Sequence, residues 1–180
     1  GGKVILLKSR KFDAKELLDL SEKYSVTQLS IVGDAFCKPI TRYLQTLAEQ
    51  NQALPHLESI IRITSSGATF SGDQKSLLQK YMPNATIIDM LGASEGGPFG
   101  IAMTAPNEDP IATAVFIAPP NATTFNDETW EPLPRGSTVP GVLGVSGPMP
   151  QGYYRDEART AQTFKEINGV RYTIPGDYAL

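Results

Sequence analysis

The sequence predicts an α/β fold: a parallel sheet flanked by helices, followed by a small antiparallel β-barrel-like subdomain. Three observations carry this. Short apolar runs alternate with segments of helical period through roughly the first hundred residues, the rhythm of stacked βα units. Near residue 105 the style changes, with nine prolines between Ala105 and Gly152 and short β-type runs between turns. Asn168-Gly169 then sits between two β-type runs, a hairpin signature. The boundary is therefore expected at 104/105, with an α/β part over 1–104 and a β-rich part over 105–180.

The elements follow in chain order. Val4 to Leu7 reads as a buried strand. Asp13 and Glu16 have capping-box spacing, opening a helix that places Leu17, Leu20, Ser21 and Tyr24 on one face. Gln28 to Val32 is a second apolar run, ending at Gly33. Pro39 is expected to begin the next helix, because its missing N–H costs nothing in a first turn. Ile40, Tyr43, Leu44, Leu47 and Ala48 then form a stripe of helical period. Ile60 to Thr64 reads as a strand, Ser71 to Gln74 as a second capping box, and Thr86 to Leu91 as another strand. Farther on, Thr113 to Ile117 and Val142 to Val145 are β-type runs. Asn126 to Thr129 reads as a hairpin loop ahead of Trp130, and Asp156 as the cap of a short helix reaching Phe164 with Arg155 and Arg159 solvated.

Composition removes several function classes. The net charge of -3 and the absence of a Lys/Arg cluster give no footprint for nucleic acid. No apolar run approaches a transmembrane length. With one cysteine, Cys37, and one histidine, His56, neither an internal disulfide nor a Cys/His zinc site can form. A lone thiol suits a reducing compartment, so a cytoplasmic location is expected. His56 lies in a polar loop and reads as a solvated side chain rather than a member of a Ser-His-Asp triad.

Three loops follow predicted strands: Ser65 to Thr69, Gly92 to Gly97, and Gly176-Asp177. In open α/β sheets ligands collect beyond the carboxyl ends of strands. Small residues there let backbone amides approach, hydroxyls can bind phosphate oxygens, and a neighbouring carboxylate can hold Mg²⁺. These loops suit a nucleotide or phosphate ester with a metal. They equally suit ordinary turns with Ser/Thr caps. Neither a P-loop nor a dinucleotide fingerprint occurs.

Leu91-Gly92-Ala93-Ser94-Glu95 resembles the Tyr-Gly-x-Thr-Glu signature of the adenylate-forming superfamily, which contains acyl-CoA synthetases, nonribosomal adenylation domains and luciferases. Ser65-Ser66-Gly67-Ala68-Thr69-Phe70-Ser71 resembles the family's Gly-Gly-Ala loop. Gly144-Val145-Ser146-Gly147 with Gly152-Tyr153-Tyr154 resembles its Gly-x-x-x-x-Gly…Gly-Tyr segment. Thr160 to Phe164 and Tyr172-Thr173-Ile174-Pro175-Gly176-Asp177 resemble its Thr…Phe…Thr-Gly-Asp stretch. Order and spacing agree from about Ile60 onward. Val26 to Leu29 and Val32 to Phe36 resemble an upstream part of bacterial fatty-acyl-CoA synthetases.

The resemblance implies both parts of the chain to be subdomains of an AMP-binding domain, with the following roles. Ser94 stands where a hydroxyl binds the α-phosphate, and Glu95 where a carboxylate binds Mg²⁺. Asp177 stands where a carboxylate accepts from the ribose hydroxyls. Gly67 and Ala68 would lie against adenine, with Asp89 facing its amino group and Leu91 in the place of the aromatic residue that usually stacks on it. Gly92, Gly96 and Gly97 would border an acyl pocket. The implied cofactors and substrates are ATP or AMP, Mg²⁺, CoA and a carboxylic acid, with a fatty acid expected. Pro175 replaces a usual Thr, which resembles bacterial fatty-acyl or sterol-side-chain ligases. A carrier-protein phosphopantetheine in place of CoA, or a non-catalytic nucleotide-binding module, are the alternatives. The family's Lys-bearing phosphate loop, Arg-bearing hinge and small C-terminal domain with its Lys have no match here. The chain is thus expected to be a section of a longer enzyme, without turnover alone.

Overall fold

The structure, a computed structural model, describes residues 2–109 and 115–180. It divides into two compact units: Gly1–Met90 with Ala102–Val115, and Leu91–Ile101 with Phe116–Leu180.

The first unit holds α1 (Ala14–Lys23), β1 (Gln28–Ile31), α2 (Gly33–Glu49), β2 (Arg62–Ser66) and α3 (Gly72–Tyr81). β3 (Thr86–Ala93) begins in it and β4 (Gly96–Thr104) ends in it. The sheet order is β1-β2-β3-β4, with β1 parallel to β2 and β2 parallel to β3. β4 returns beside β3 through a two-residue turn, which forces that pair to be antiparallel. The sheet is therefore mixed and mostly parallel. Its core joins Leu29, Ile31, Ile63 and Ile87 from the strands to Leu18, Ile40, Leu44 and Leu78 from the helices.

Several expectations change here. Val4 and Leu6 are 83% and 78% exposed, and Val4 to Leu7 is not a strand. Apolar content alone cannot make a strand where no neighbour offers hydrogen bonds. α2 begins at Gly33, six residues before Pro39, so Pro39 lies inside it. Gly33 has φ of +43°, and a Cβ there would meet the Thr69 carbonyl oxygen at 2.3 Å. Only glycine starts the helix this close to the next loop. β2 runs two residues later than expected, taking Ser65 and Ser66 out of the loop. Asp13 caps α1, accepting from the Glu16 amide at 3.1 Å. Glu16 does not complete the box; its carboxylate accepts from the amides of Lys8 and Ser9. Ser71 does not cap α3 with its side chain either, because its hydroxyl donates to Asp34 at 3.0 Å.

The second unit is built on β5 (Ala122–Phe125), β6 (Gly141–Ser146), α4 (Glu157–Thr163), β7 (Phe164–Ile167), β8 (Val170–Thr173) and β9 (Tyr178–Ala179). Its antiparallel sheet has the order β5-β6-β8-β7, with β9 also on β6. Among the described residues β5 and β7 do not meet, so the sheet is open and the expected barrel does not close. Asn168 and Gly169 have φ of 52° and 75°, the two left-handed residues that a two-residue hairpin turn needs. Asp156 caps α4 through the Arg159 amide at 2.9 Å. Asn126 Oδ1 accepts from the amides of Glu128 and Thr129, closing the loop before Trp130. Thr113 and Ala114 of the expected run to Ile117 lie outside the described residues. Ile117 itself bridges Ile101.

Candidate functional site

Ser94 and Glu95 are the turn between β3 and β4. Glu95 is fixed at two points. Its carbonyl oxygen accepts from the hydroxyl of the fully buried Thr173 at 2.9 Å. Its Oε1 accepts from the Tyr153 phenol at 2.5 Å. Tyr153 is itself held, its amide donating to Thr160 Oγ1 at 2.8 Å. The Arg159 guanidinium lies 4.1 Å from its ring centroid, within cation–π range. The Tyr153 hydrogen bond holds the Glu95 carboxyl below the usual carboxylate range, and its own backbone N–H and the Arg159 charge add to this against slight burial. Glu95 is therefore an anion at neutral pH.

Glu95, Tyr153 and Arg159 line a cleft of about 680 Å³ in the second unit, as do Lys165, Gly176 and Tyr178. Both β8 and β9 pair with the same edge of β6. Thr173 lies opposite Val145 and Tyr178 opposite Val142, five positions against three. The two surplus residues make a bulge, and a bulge re-aims the chain beside it. Pro175 and Gly176 reach the cleft through it. Asp177 stands between Gly176 and Tyr178 with its side chain exposed, while its carbonyl accepts from the Leu143 amide at 2.8 Å. The Tyr178 phenol donates to Asp127 Oδ2 at 2.9 Å, and Lys165 lies over the Trp130 ring at 4.7 Å.

The glycines around the turn have separate causes. A Cβ on Gly96 would sit 2.6 Å from Thr173 Oγ1, so Gly96 makes room for the hydroxyl that fixes Glu95. Gly97 has φ of +81°. Gly92 meets nothing closer than 3.8 Å and is exposed. Leu91 is half-buried and packs against the cluster of Phe99, Leu143 and Val145.

The remaining sequence-derived residues belong to the first unit. Gly67 and Ala68 are exposed in the loop after β2. That loop is stitched to the start of α2: Ser65 Oγ accepts from the Gly33 amide at 3.1 Å, and the Thr69 carbonyl from the Asp34 amide at 2.9 Å. Ser65 is 1% exposed, so its hydroxyl serves the fold rather than a phosphate. Asp89 pairs in register with Ser65, and its carboxylate lies 2.7 Å from Lys75 Nζ in a buried ion pair. His56 is exposed in its loop.

No family model matches the chain. Over 179 residues it is 35% identical to a medium/long-chain-fatty-acid–CoA/3-oxocholest-4-en-26-oate–CoA ligase of Mycolicibacterium smegmatis, covering 99% of this chain and 32% of that protein. The chain is homologous to one segment of the bacterial fatty acid–CoA ligases. It thus spans about a third of the length of the curated relatives that it matches. Solved structures share the chain's fold. A nonribosomal peptide synthetase, FmoA3, superposes with a TM-score of 0.73 at 18% identity, covering 94% of this chain and 18% of its own. The Vibrio cholerae adenylation domain AlmE, in complex with glycyl-adenosine-5'-phosphate, gives 0.64 at 17%, covering 90% and 30%.

The cleft offers a cation the Glu95 carboxylate, with Oε1 engaged by Tyr153, while the Asp127 carboxylate in the same lining is engaged by the Tyr178 phenol. Among the described residues no group of three or more His, Cys, Asp or Glu gathers. A single carboxylate fits Mg²⁺ taken up with a nucleotide, since that ion keeps waters and shares its shell with phosphates. No helix among the described residues is long and apolar enough to cross a membrane.

Besides Thr173, three contributors escape the sequence. Tyr153 stood only within a Gly-Tyr segment, and Arg159 read as solvated. Lys75 lies within the polar part of a helix pattern. Their partners are 58, 6 and 14 positions away, so no local pattern links them.

Proposed function

We propose that the chain is the part of an AMP-forming acid–CoA ligase that holds the reacting phosphate, its metal and the ribose. The observation that carries this is Glu95, ionised and fixed at both ends on the wall of a cleft in the second unit. The whole enzyme would activate a carboxylic acid, of the fatty-acid or steroid-side-chain kind that the Mycolicibacterium relative's name describes. The acid's carboxylate oxygen attacks the α-phosphorus of ATP, the bond to the β-phosphate oxygen breaks, and pyrophosphate leaves. The CoA thiol, losing its proton, then attacks the acyl carbonyl, and AMP leaves with the electron pair of the broken C–O bond.

Within that reaction Ser94 donates its hydroxyl to an α-phosphate oxygen, where negative charge grows during attack. Glu95 holds Mg²⁺, which supplies charge neutralisation to the phosphates. Asp177 accepts from the ribose hydroxyls. Leu91 packs on adenine by dispersion, without an aromatic ring's extra contribution. Gly67 and Ala68 flank the base, and Asp89 accepts from its amino group. Gly92, exposed and without a side chain, leaves room for the acyl chain. The α/β part over 1–104 and the β-rich part over 105–180 are read as subdomains of one AMP-binding domain.

Calorimetric titration of the chain with AMP and a non-hydrolysable acyl-AMP tests the reading. Binding is expected, weakened about tenfold by Ser94→Ala and by Asp177→Ala, in line with loss of a hydrogen bond involving a charged partner. No binding at millimolar ligand, or binding indifferent to both substitutions, overturns it. In the whole protein, pyrophosphate release should depend on added fatty acid.

A further inference from the structure

We propose that Tyr153 is a positioning residue for Glu95: it fixes the carboxylate so that one oxygen stays turned to the cleft for a divalent cation. This rests on the reading of Glu95 as the metal-holding group. The two anchors on Glu95 act on different parts of it. Thr173 holds the main chain at the turn, and Tyr153 holds Oε1 of the side chain. A glutamate on a two-residue turn would otherwise sample several rotamers, each ordered only at a cost in entropy. With Oε1 occupied, Oε2 is the oxygen left to bind.

Tyr153 has the rigidity this role needs. Its amide is tied to Thr160 Oγ1 at 2.8 Å, and that hydroxyl donates to the Asp156 carbonyl at 2.7 Å at the start of α4. Gly152 lets the segment pass this closely, because a Cβ there would meet Thr160 Cγ2 at 2.4 Å. The Arg159 guanidinium lies 4.1 Å from the ring centroid, and the Phe164 ring centroid lies 6.1 Å from it. The phenol is thus aimed by the frame of α4, and Arg159 keeps its place over the ring. Glu95 and Tyr153 are 58 positions apart, so their meeting is a product of the fold.

The test measures Mn²⁺ binding to the full chain by electron paramagnetic resonance, in the presence of a non-hydrolysable ATP analogue. Tyr153→Phe keeps the ring and its stacking and removes only the hydroxyl. Its melting temperature should stay within a few degrees of the parent, while Mn²⁺ affinity falls about tenfold, the lower end of the range for groups that orient a metal ligand. Glu95→Gln should abolish the added affinity, and Tyr153→Phe on top of it should change nothing further. That coupling is what a merely structural tyrosine would not show. Unchanged Mn²⁺ affinity in Tyr153→Phe, with Glu95→Gln impaired, overturns this inference alone. Equal Mn²⁺ binding by the parent and Glu95→Gln overturns the reading of Glu95 beneath it. A loss in Tyr153→Phe that adds in full to that of Glu95→Gln also overturns the inference.

Discussion

Lys75 Nζ lies 2.7 Å from Asp89 Oδ2, with the two side chains 4% and 8% exposed. The pair ties α3 to β3 inside the first unit, and the lysine also lies 5.4 Å from the Phe70 ring centroid. A buried charge that loses its partner is left without solvent, at a cost of about 3–5 kcal/mol. Asp89→Leu or Lys75→Met alone should therefore lower stability by about that amount in urea unfolding. The pair Lys75→Met/Asp89→Leu should recover most of it, because an apolar pair of similar volume replaces the ions. If Asp89 also meets the adenine amino group, the recovered double variant will still bind AMP more weakly. Full recovery of both properties would leave Asp89 with a purely structural part.

Gly96 gives a second test. Its absent side chain accommodates Thr173 Oγ1, which a Cβ would approach to 2.6 Å. Gly96→Ala should cost about 1–3 kcal/mol, the usual range for forcing atoms into a packed site. Thr173→Ala removes the obstructing hydroxyl but also the bond to the Glu95 carbonyl. The double variant should be less destabilised than the sum of the two singles, as residues in contact are not additive. A sum that adds within error would show that the turn moves aside without strain.

These two contacts mark the limit of what the sequence disclosed. The alternation of βα units was legible because strand and helix periods are local, and Asn168-Gly169 announced its hairpin because φ is a local property. Capping spacings were read correctly as helix starts at Asp13 and Ser71, but the second acceptor lay elsewhere: Ser71 turns to Asp34, 37 positions away. Pro39 misled because position in a helix depends on where the helix begins, and that was decided by Gly33 and its approach to Thr69. Ser94 and Glu95 stood out as a pattern. The residues that hold Glu95, Tyr153 and Thr173, did not, since they reach it only through the folded second unit.

Cys37 should be chemically silent in the native state. It is fully buried, and burial, with the Asp34 charge adding to it, pushes its thiol up to about 12. At pH 8 the thiolate fraction would be roughly a thousandfold below that of a free cysteine. Reaction with a disulfide reagent should therefore track global unfolding, with full reactivity in urea. Because the folded value is raised, the thiol's contribution to stability is complete below the unfolded value and is lost as pH rises toward 12. Rapid native-state labelling at pH 8 would show that α2 opens locally.

Asp34 sets the opposite limb of the pH profile. Its burial raises its pKa, but hydrogen bonds from the Ser71 amide and hydroxyl and the Lys38 ammonium outweigh that, so the net shift is downward. A depressed carboxylate contributes stability that is present above its unfolded value of 3.8 and is lost as pH falls through the lower folded value. Acid unfolding should therefore steepen below about pH 4, and Asp34→Asn should flatten that limb. The same substitution leaves an amide against the Ser71 hydroxyl and removes the anion from the first turn of α2, where the helix dipole favours negative charge. At neutral pH it should cost about 1.5–3 kcal/mol, the range for hydrogen bonds to a charged acceptor. Asp34→Asn and Ser71→Ala should be strongly coupled, because each removes the same link between α2 and α3. An acid limb unchanged by Asp34→Asn would assign the loss at low pH to other carboxylates.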